Sequence, residues 1–526
     1  MNVSDEVSAG PATSVPRVRI LLVNAAANLV RALSASAVSV VLPLFLVVLL
    51  LPEVYTVWAL VFSLGAFVTY LDLGIPTSVQ AIVGRTEGTT KIRQARSATL
   101  SGVLLTLVLL ILSSGASVVV ATGISAIFPE IPSGLRQLAQ LALPILVVGQ
   151  GANLVCNAVS SYFSGRQLSH IPMWILAPAR VFSMAAAIGV AVSGGDIAQI
   201  ALAYSAPLVL AAVTMFLLFL SHSGKALGLD SETETASVTP IGVLRYSGPL
   251  MLWNVCMLVI SGLGIVIVGR VDYGAVAFYS ICLIIVAALS SLESSITAPL
   301  LPEFARSWAR GQKDDLKRHI GSALAYNGAA LYFATAGILV VASVVMPFVL
   351  GDGGLSAGKA WIVLTFLMVG SATRLAMTPL SLAFIATRTH SKVLLPPVFE
   401  AAVNLGFSVL LGLMWGGIGV ASGYLIGSVF AALVTIFWSV KRTGVVDTPA
   451  MTLLRRAVLT PFLIVIPALL SSSVVLFGGF DLVGVSVAAA AGLLVSFVLA
   501  WRLGLGSVVE RVTRQLRERK NRSTAR

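Results

Sequence analysis

Charge is scarce in this sequence: 10% of its 526 residues are Asp, Glu, Lys or Arg, while 57% are hydrophobic. Soluble globular domains carry about 25% charged residues, so that class is excluded. Cysteine is nearly absent. Cys156, Cys256 and Cys282 each fall in an apolar run, without pairing or ligand spacing, and read as packing residues. His170, His222, His319 and His390 are solitary, with no His-Glu-x-x-His pair or Cys/His cluster, so neither a metal site nor a cofactor is expected. Phosphate loops and nucleophile motifs are missing, and the loops on the outer side are short with about one carboxylate each (Glu53, Glu130, Asp196, Asp272, Asp352, Asp481). Paired acid/base chemistry has nowhere to sit, and an enzyme is not expected.

What is present is hydropathy, with a mean of +0.98. A hydrocarbon core takes about 20 helical residues to cross. Apolar runs of that length recur from Ile20 almost to the end. They predict an all-α polytopic membrane protein of about 14 transmembrane helices, near 20–50, 55–76, 97–122, 137–162, 172–193, 197–221, 247–269, 274–298, 320–350, 357–386, 394–415, 417–440, 457–478 and 482–503. The first nineteen residues lack the basic flank, apolar run and cleavage site of a removable signal, so the first span is expected to be retained.

The positive residues orient these spans. With a cytoplasmic N-terminus, 28 of the 34 Lys and Arg fall on the inner side, Arg136, Arg270 and Lys359 on the outer side, and Arg31, Arg180 and Arg374 within spans. Both termini are then cytoplasmic. The net charge of +13 follows from topology, so no nucleic-acid partner is expected. The tail "ERVTRQLRERKNRSTAR" suits the anionic inner leaflet, where each basic residue gains about 1 kcal/mol from membrane lipids.

A shift of 221 residues lays Trp58 on Tyr279, Asp72 on Glu293, Arg85 on Arg306 and Asn153 on Arg374. An offset of six spans is what two duplicated halves in the same orientation would give. The resulting division is a tail at 1–19, an N-lobe at 20–221, a linker at 222–246, a C-lobe at 247–440, an appendage of two helices at 441–503 and a basic tail at 504–526.

Three segments carry a family resemblance. "EVYTVWALVFSLGAFVTYLDLGIPTSV" has an aromatic pair followed by Leu-Asp-Leu-Gly; "APLLPEFARSWARGQKDDLKRHI" has a Pro, an Arg and a Gly-polar-acidic run; "FEAAVNLGFSVLLGLMWGGIGVASGYLIGS" has Glu-x-x-x-Asn, then Gly-x-Gly-x-Ala. In order and spacing they resemble the Wzx-type polysaccharide and O-antigen flippases of the MOP exporter superfamily, whose relatives include the MurJ lipid II flippases and the MATE exporters. The resemblance implies two pseudo-symmetric six-helix lobes, a V-shaped central cavity and alternating access. It also implies a bacterial inner-membrane protein that moves a polyprenyl-diphosphate-linked oligosaccharide to the outer leaflet for cell-surface polysaccharide synthesis, with a polymerase or glycosyltransferase complex as a further partner. Alternatives are a lipid II flippase, a multidrug antiporter or a membrane-embedded polymerase or ligase. One departure stands out: the seventh span, "LMLWNVCMLVISGLGIVIVG", has no carboxylate where many relatives carry one, which leaves coupling to a proton or sodium gradient without its usual group.

The intramembrane charges are the candidate functional residues. At 1.5 Å per residue, Arg31 lies about 16 Å and Arg180 about 12 Å from the inner side, with Arg374 near mid-depth. A guanidinium there faces either an anion in a cavity or an internal counter-ion. The substrate class supplies a diphosphate, which accepts paired hydrogen bonds from guanidinium, with Asn28 and Asn153 lining the same cavity. The rival reading for Arg374 is a salt bridge to Glu400 or Glu293. Arg180 is placed either to face the cavity or to snorkel, and Arg31 shares a polar helix face with Asn24 and Asn28. Glu400, with Asn404 one turn on, binds either a coupling cation or an arginine. Asp72 and Glu293, paired with Arg85 and Arg306, form either a matched cytoplasmic gate or ordinary interfacial charges. The glycines of "WGGIGVASGYLIGS" read as packing residues.

Overall fold

The computed structural model describes residues 30, 34, 38, 40–84, 92–227, 238–297, 300–350, 354–387, 389–477 and 482–502. Among them all regular structure is helical, and eleven helices are long and apolar enough to cross a membrane. One of these, Leu395–Thr443, is 49 residues long and covers both the eleventh and twelfth expected spans. Val40–Leu49 and Ser486–Ala500 are shorter apolar helices. The chain divides into two compact units: Met1–Leu49, Gly65–Ile124 and Ser133–Asn254 form the first, and Leu50–Leu64, Ser125–Pro132 and Val255–Arg526 the second.

In the first unit the helix Ser133–Gly165 is central, packed against Ile197–Leu227, Ile92–Thr122 and Ile75–Gly84. Its buried face is rich in Gly, Ala and Ser, so neighbouring backbones approach closely, as membrane helices that pack through small residues do. A side chain at Gly149 would collide with Ser205. Tyr162, Phe163, Met215 and Phe219 fill one end of this core, Tyr162 and Phe219 meeting edge to face at 5.0 Å. Serines strap the segment leading into the helix Pro240–Met257 onto the same unit. Ser97 Oγ accepts from Val238 N at 3.0 Å, Ser101 Oγ donates to Val238 O at 2.8 Å, and Ser78 and Ser247 share a hydrogen bond of 2.7 Å.

The Leu-Asp-Leu-Gly motif is a turn. The chain leaves the 3-10 turn Phe67–Asp72 through Leu73 and Gly74, both left-handed (φ 51° and 73°), and the Asp72 carboxylate accepts the Gly74 N–H at 3.0 Å. That contact closes a short side-chain-to-backbone ring of the kind Asp readily makes.

In the second unit the helix Gly354–Leu375 packs on Leu395–Val434, Lys313–Leu350 and Val276–Thr297, and Lys313–Leu350 also carries Val465–Phe477 and Leu482–Ala500. Two breaks shape it. The expected span 357–386 is two helices, Gly354–Leu375 and Thr378–Ala386, because Pro379 has no N–H for the carbonyl of Leu375 four residues back. The second break is at Trp415 and Gly416, where the helix folds back on itself; Gly416 has φ of 58°, a backbone state that favours glycine. After this turn Gly419, Gly423 and Gly427 lie against the backbone of Leu411, Ser408 and Asn404 respectively. They are packing glycines, one per helical turn.

Candidate functional site

Arg374 occupies the last turn of Gly354–Leu375, one residue before the proline break. Its Nε lies 3.8 Å from Oε1 of Glu400, with side-chain exposures of 19% and 5%. That is an ion pair outside the 2.7–2.9 Å of a charge-assisted hydrogen bond. Arg374 Nη1 also reaches Met257 Sδ at 3.5 Å. Glu400 sits near the start of Leu395–Val434, with Ser428 of the returning arm beside its carboxyl. Asn404 is one turn on and Ser408 the next, all three buried. Ser408 donates to Asn404 Oδ1 at 3.0 Å and to Val420 O at 3.1 Å, and Asn404 Nδ2 approaches Ile260 O at 3.5 Å. A polar stripe at every fourth residue is thus enclosed by the glycine-lined arm.

Glu293 approaches the same arginine from the helix Val276–Thr297. It is buried, with Thr378, Thr297 and Asn327 at its carboxyl and the charge of Arg374 acting on it. Two carboxylates from two helices therefore share one guanidinium. Sequence reasoning had offered them as alternative counter-ions.

Of the expected gate pairs, Glu293 and Arg306 both lie among the described residues, and they are arranged differently. Arg85 lies outside the described residues, as do Arg31, Asn24 and Asn28. Asp72 spends one oxygen on Gly74 N and on the Asn254 side-chain amide, holding the turn and the helix Pro240–Met257 together. Arg306 pairs with Glu303 at 3.0 Å, one turn back on an exposed face, while the cation acting on buried Glu293 is Arg374. The Glu293–Arg306 pairing thus gives way to the i, i+3 neighbour.

Arg180 belongs to the first unit, in His170–Val192. It is half-buried, and its charge acts on the buried side chains of Cys156 and Tyr204. Asn153, half-buried, lies in Ser133–Gly165. Asn327, Thr378 and Met257 were missed by sequence reasoning. A lone amide in the apolar stretch "ALAYNGAALYF" was the available signal for Asn327.

The fold has known counterparts. The MatE family model matches residues 33–188. No curated protein sequence matches the chain significantly. Among solved structures, an inward-facing multidrug resistance MATE family transporter of the MOP superfamily is similar at a TM-score of 0.61 and 16% identity, covering 78% of this chain and 95% of its own. A lipid II flippase MurJ in an inward closed conformation gives 0.60 and 14%, covering 93% of this chain and 97% of its own. The fold is that of the MOP-superfamily transporters. A eukaryotic MATE transporter, AtDTX14, shares it at 0.58 and 15%, covering 84% and 99%. In this fold the paired carboxylates and Arg374 lie in helices of the second unit.

Proposed function

We propose that this MOP-fold protein flips a polyprenyl-diphosphate-linked oligosaccharide from the inner to the outer leaflet, in the service of cell-surface polysaccharide synthesis. The observation that carries this reading is Arg374. It is a guanidinium held in an apolar bundle by an ion pair of 3.8 Å that still keeps 19% of its side chain exposed. Nε and the Glu400 Oε1 that faces it are buried, so the exposed remainder of the Arg374 side chain is what a competing anion would reach, and a diphosphate matches a planar guanidinium with two parallel hydrogen bonds. Arg180 and Asn153, both half-buried, and Arg31 and Asn28 are the proposed secondary contacts.

Lipid II is the second reading for the cargo. The lipid II flippase structure covers 93% of this chain, against 78% and 84% for the two MATE transporters, and lipid II carries the same diphosphate. Cells depleted of the protein, probed with a membrane-impermeant sugar-cleaving enzyme, separate these readings. Chemically complete oligosaccharide intermediates shielded on the inner leaflet support the first, shielded lipid II the second. Intermediates exposed outside but unpolymerised would contradict both.

A further inference from the structure

Two helices of the second unit meet at a group of cations that no acid answers. The helix Leu395–Thr443 finishes with Lys441 and Arg442, and Ala450–Leu476 carries Arg455 and Arg456 within its first two turns. All four side chains are exposed, and none of them is in an ion pair among the described residues. The carboxylate that lies between them in the chain, Asp447, is held by Lys317. The two helix ends adjoin, because Ala450–Leu454 packs on Thr435–Ser439. Two of the guanidiniums are seated. Arg442 lies over Trp438, its Cζ 4.9 Å from the ring centroid. A guanidinium stacked on a ring keeps its N–H edge free in its own plane, where phosphate oxygens take paired hydrogen bonds. Arg456 lies across Gly321 of the helix Lys313–Leu350, where a Cβ would stand 3.5 Å from its Nη1.

Beyond the arginines the same helix is apolar and uncovered. Leu459, Leu463, Ile466 and Leu470 are exposed and recur every three or four residues, so they form one stripe along the helix. At 1.5 Å per residue the stripe is about 16 Å long, roughly one leaflet of a hydrocarbon core about 30 Å thick. Its arginine end is the one that the distribution of Lys and Arg assigns to the cytoplasmic surface. An apolar track one leaflet long, with unanswered cations at its polar end, is complementary in length and charge to an anionic phospholipid of the inner leaflet. An acidic protein segment would use the cations and have no use for the track.

We propose that Arg442, Arg455 and Arg456, with Lys441 beside them, bind the phosphate of an anionic phospholipid whose acyl chains lie along Leu459, Leu463, Ile466 and Leu470. The ligand is a lipid of the surrounding membrane and not the cargo. The assignment therefore goes beyond the transport reading and stands or falls separately from it.

The measurement is the thermal unfolding midpoint of the purified full-length protein in phosphatidylcholine nanodiscs, as phosphatidylcholine is replaced stepwise by phosphatidylglycerol with the same acyl chains. A lipid bound to the folded state raises the midpoint once its amount exceeds the dissociation constant. The triple variant Arg442→Gln, Arg455→Gln, Arg456→Gln should need at least tenfold more phosphatidylglycerol for the same rise. Trp438→Leu, which removes the platform and no charge, should need several-fold more. A second triple variant, Arg310→Gln, Lys313→Gln, Lys392→Gln, removes the same charge from exposed positions elsewhere and should respond as the wild type does. Glycerol 3-phosphate added to phosphatidylcholine nanodiscs has no chain to lay on the track and should give no rise. Four results would overturn the assignment. These are a wild-type midpoint indifferent to phosphatidylglycerol, an undiminished response in the first triple variant, an equal loss in the second, which would make the effect one of bulk surface charge, and a full rise with glycerol 3-phosphate alone.

Discussion

Asn327 donates its side-chain amide to the backbone carbonyl of Leu375 at 2.9 Å, making the bond that Pro379 cannot. Backbone carbonyls buried without a partner cost roughly 1–3 kcal/mol, so Asn327→Leu should lower stability by about that much. In a Pro379→Ala background the residue-379 N–H can serve Leu375 and the penalty should shrink. A double-mutant cycle on unfolding midpoints checks this. A coupling within about 0.3 kcal/mol of zero would mean that the amide does not substitute for the missing bond.

Arg374→Ala leaves Glu400 buried without its ion-pair partner, which for a buried pair costs about 3–5 kcal/mol. The expected outcome is low abundance and no translocation. Arg374→Ala combined with Glu400→Gln removes both charges of the closest pair, leaves Glu293 to its donors Thr378, Thr297 and Asn327, and should restore abundance, measured in membranes by immunoblot, without restoring translocation. Recovery of translocation in the double variant would reduce Arg374 to a structural counter-ion. Arg374→Lys should transport partially, because an ammonium cannot make the two-pronged contact.

How much of this was legible beforehand depends on the range over which each feature is determined. Helix-forming apolar runs are local, and so is the turn at Trp415–Gly416, which falls between the eleventh and twelfth spans as read from the sequence. Pro379 lies inside the expected span 357–386, and its missing N–H is a local property. What was not visible is that Leu375 ends the helix one residue after Arg374, or that Asn327, 48 residues away in the chain, accepts the task of capping it. Glu400 and Glu293 were readable as counter-ions for Arg374 only as alternatives, since composition and spacing do not say which helices adjoin. Asp72 has a local task that the motif itself shows: an Asp followed two residues later by a left-handed Gly closes its own turn.

Asp72 therefore yields a prediction that separates turn from gate. Asp72→Asn keeps an acceptor for Gly74 N–H but has no charge, and should retain abundance and translocation. Asp72→Ala removes the acceptor and should cost about 1 kcal/mol, seen as a lower unfolding midpoint. Loss of translocation at full abundance in Asp72→Asn would show that the charge itself is used.

The glycines of the returning arm are predicted to be intolerant one by one. A Cβ at Gly423 would collide with the backbone of Ser408, and one at Gly427 would stand 2.8 Å from Asn404 Cβ. Gly423→Ala and Gly427→Ala should each lower stability by about 1–3 kcal/mol, as overpacking typically does, seen as a lower unfolding midpoint. Gly406, with nothing within 4 Å of its would-be Cβ, should accept Ala and gain a few tenths of a kcal/mol or more in helix propensity, about 0.5–1 at most.

The most direct test of the central claim is translocation by the purified protein. Proteoliposomes carrying a polyprenyl-diphosphate oligosaccharide are challenged with an impermeant sugar-cleaving enzyme, and the protected fraction is followed with wild-type protein and with the Arg374→Ala, Glu400→Gln double variant. The account predicts that wild type exposes lipid beyond the initially accessible leaflet and that the double variant, folded and equally abundant, leaves it protected. Equal exposure by both would contradict the role given to Arg374, and protection by both would contradict flipping of this lipid altogether.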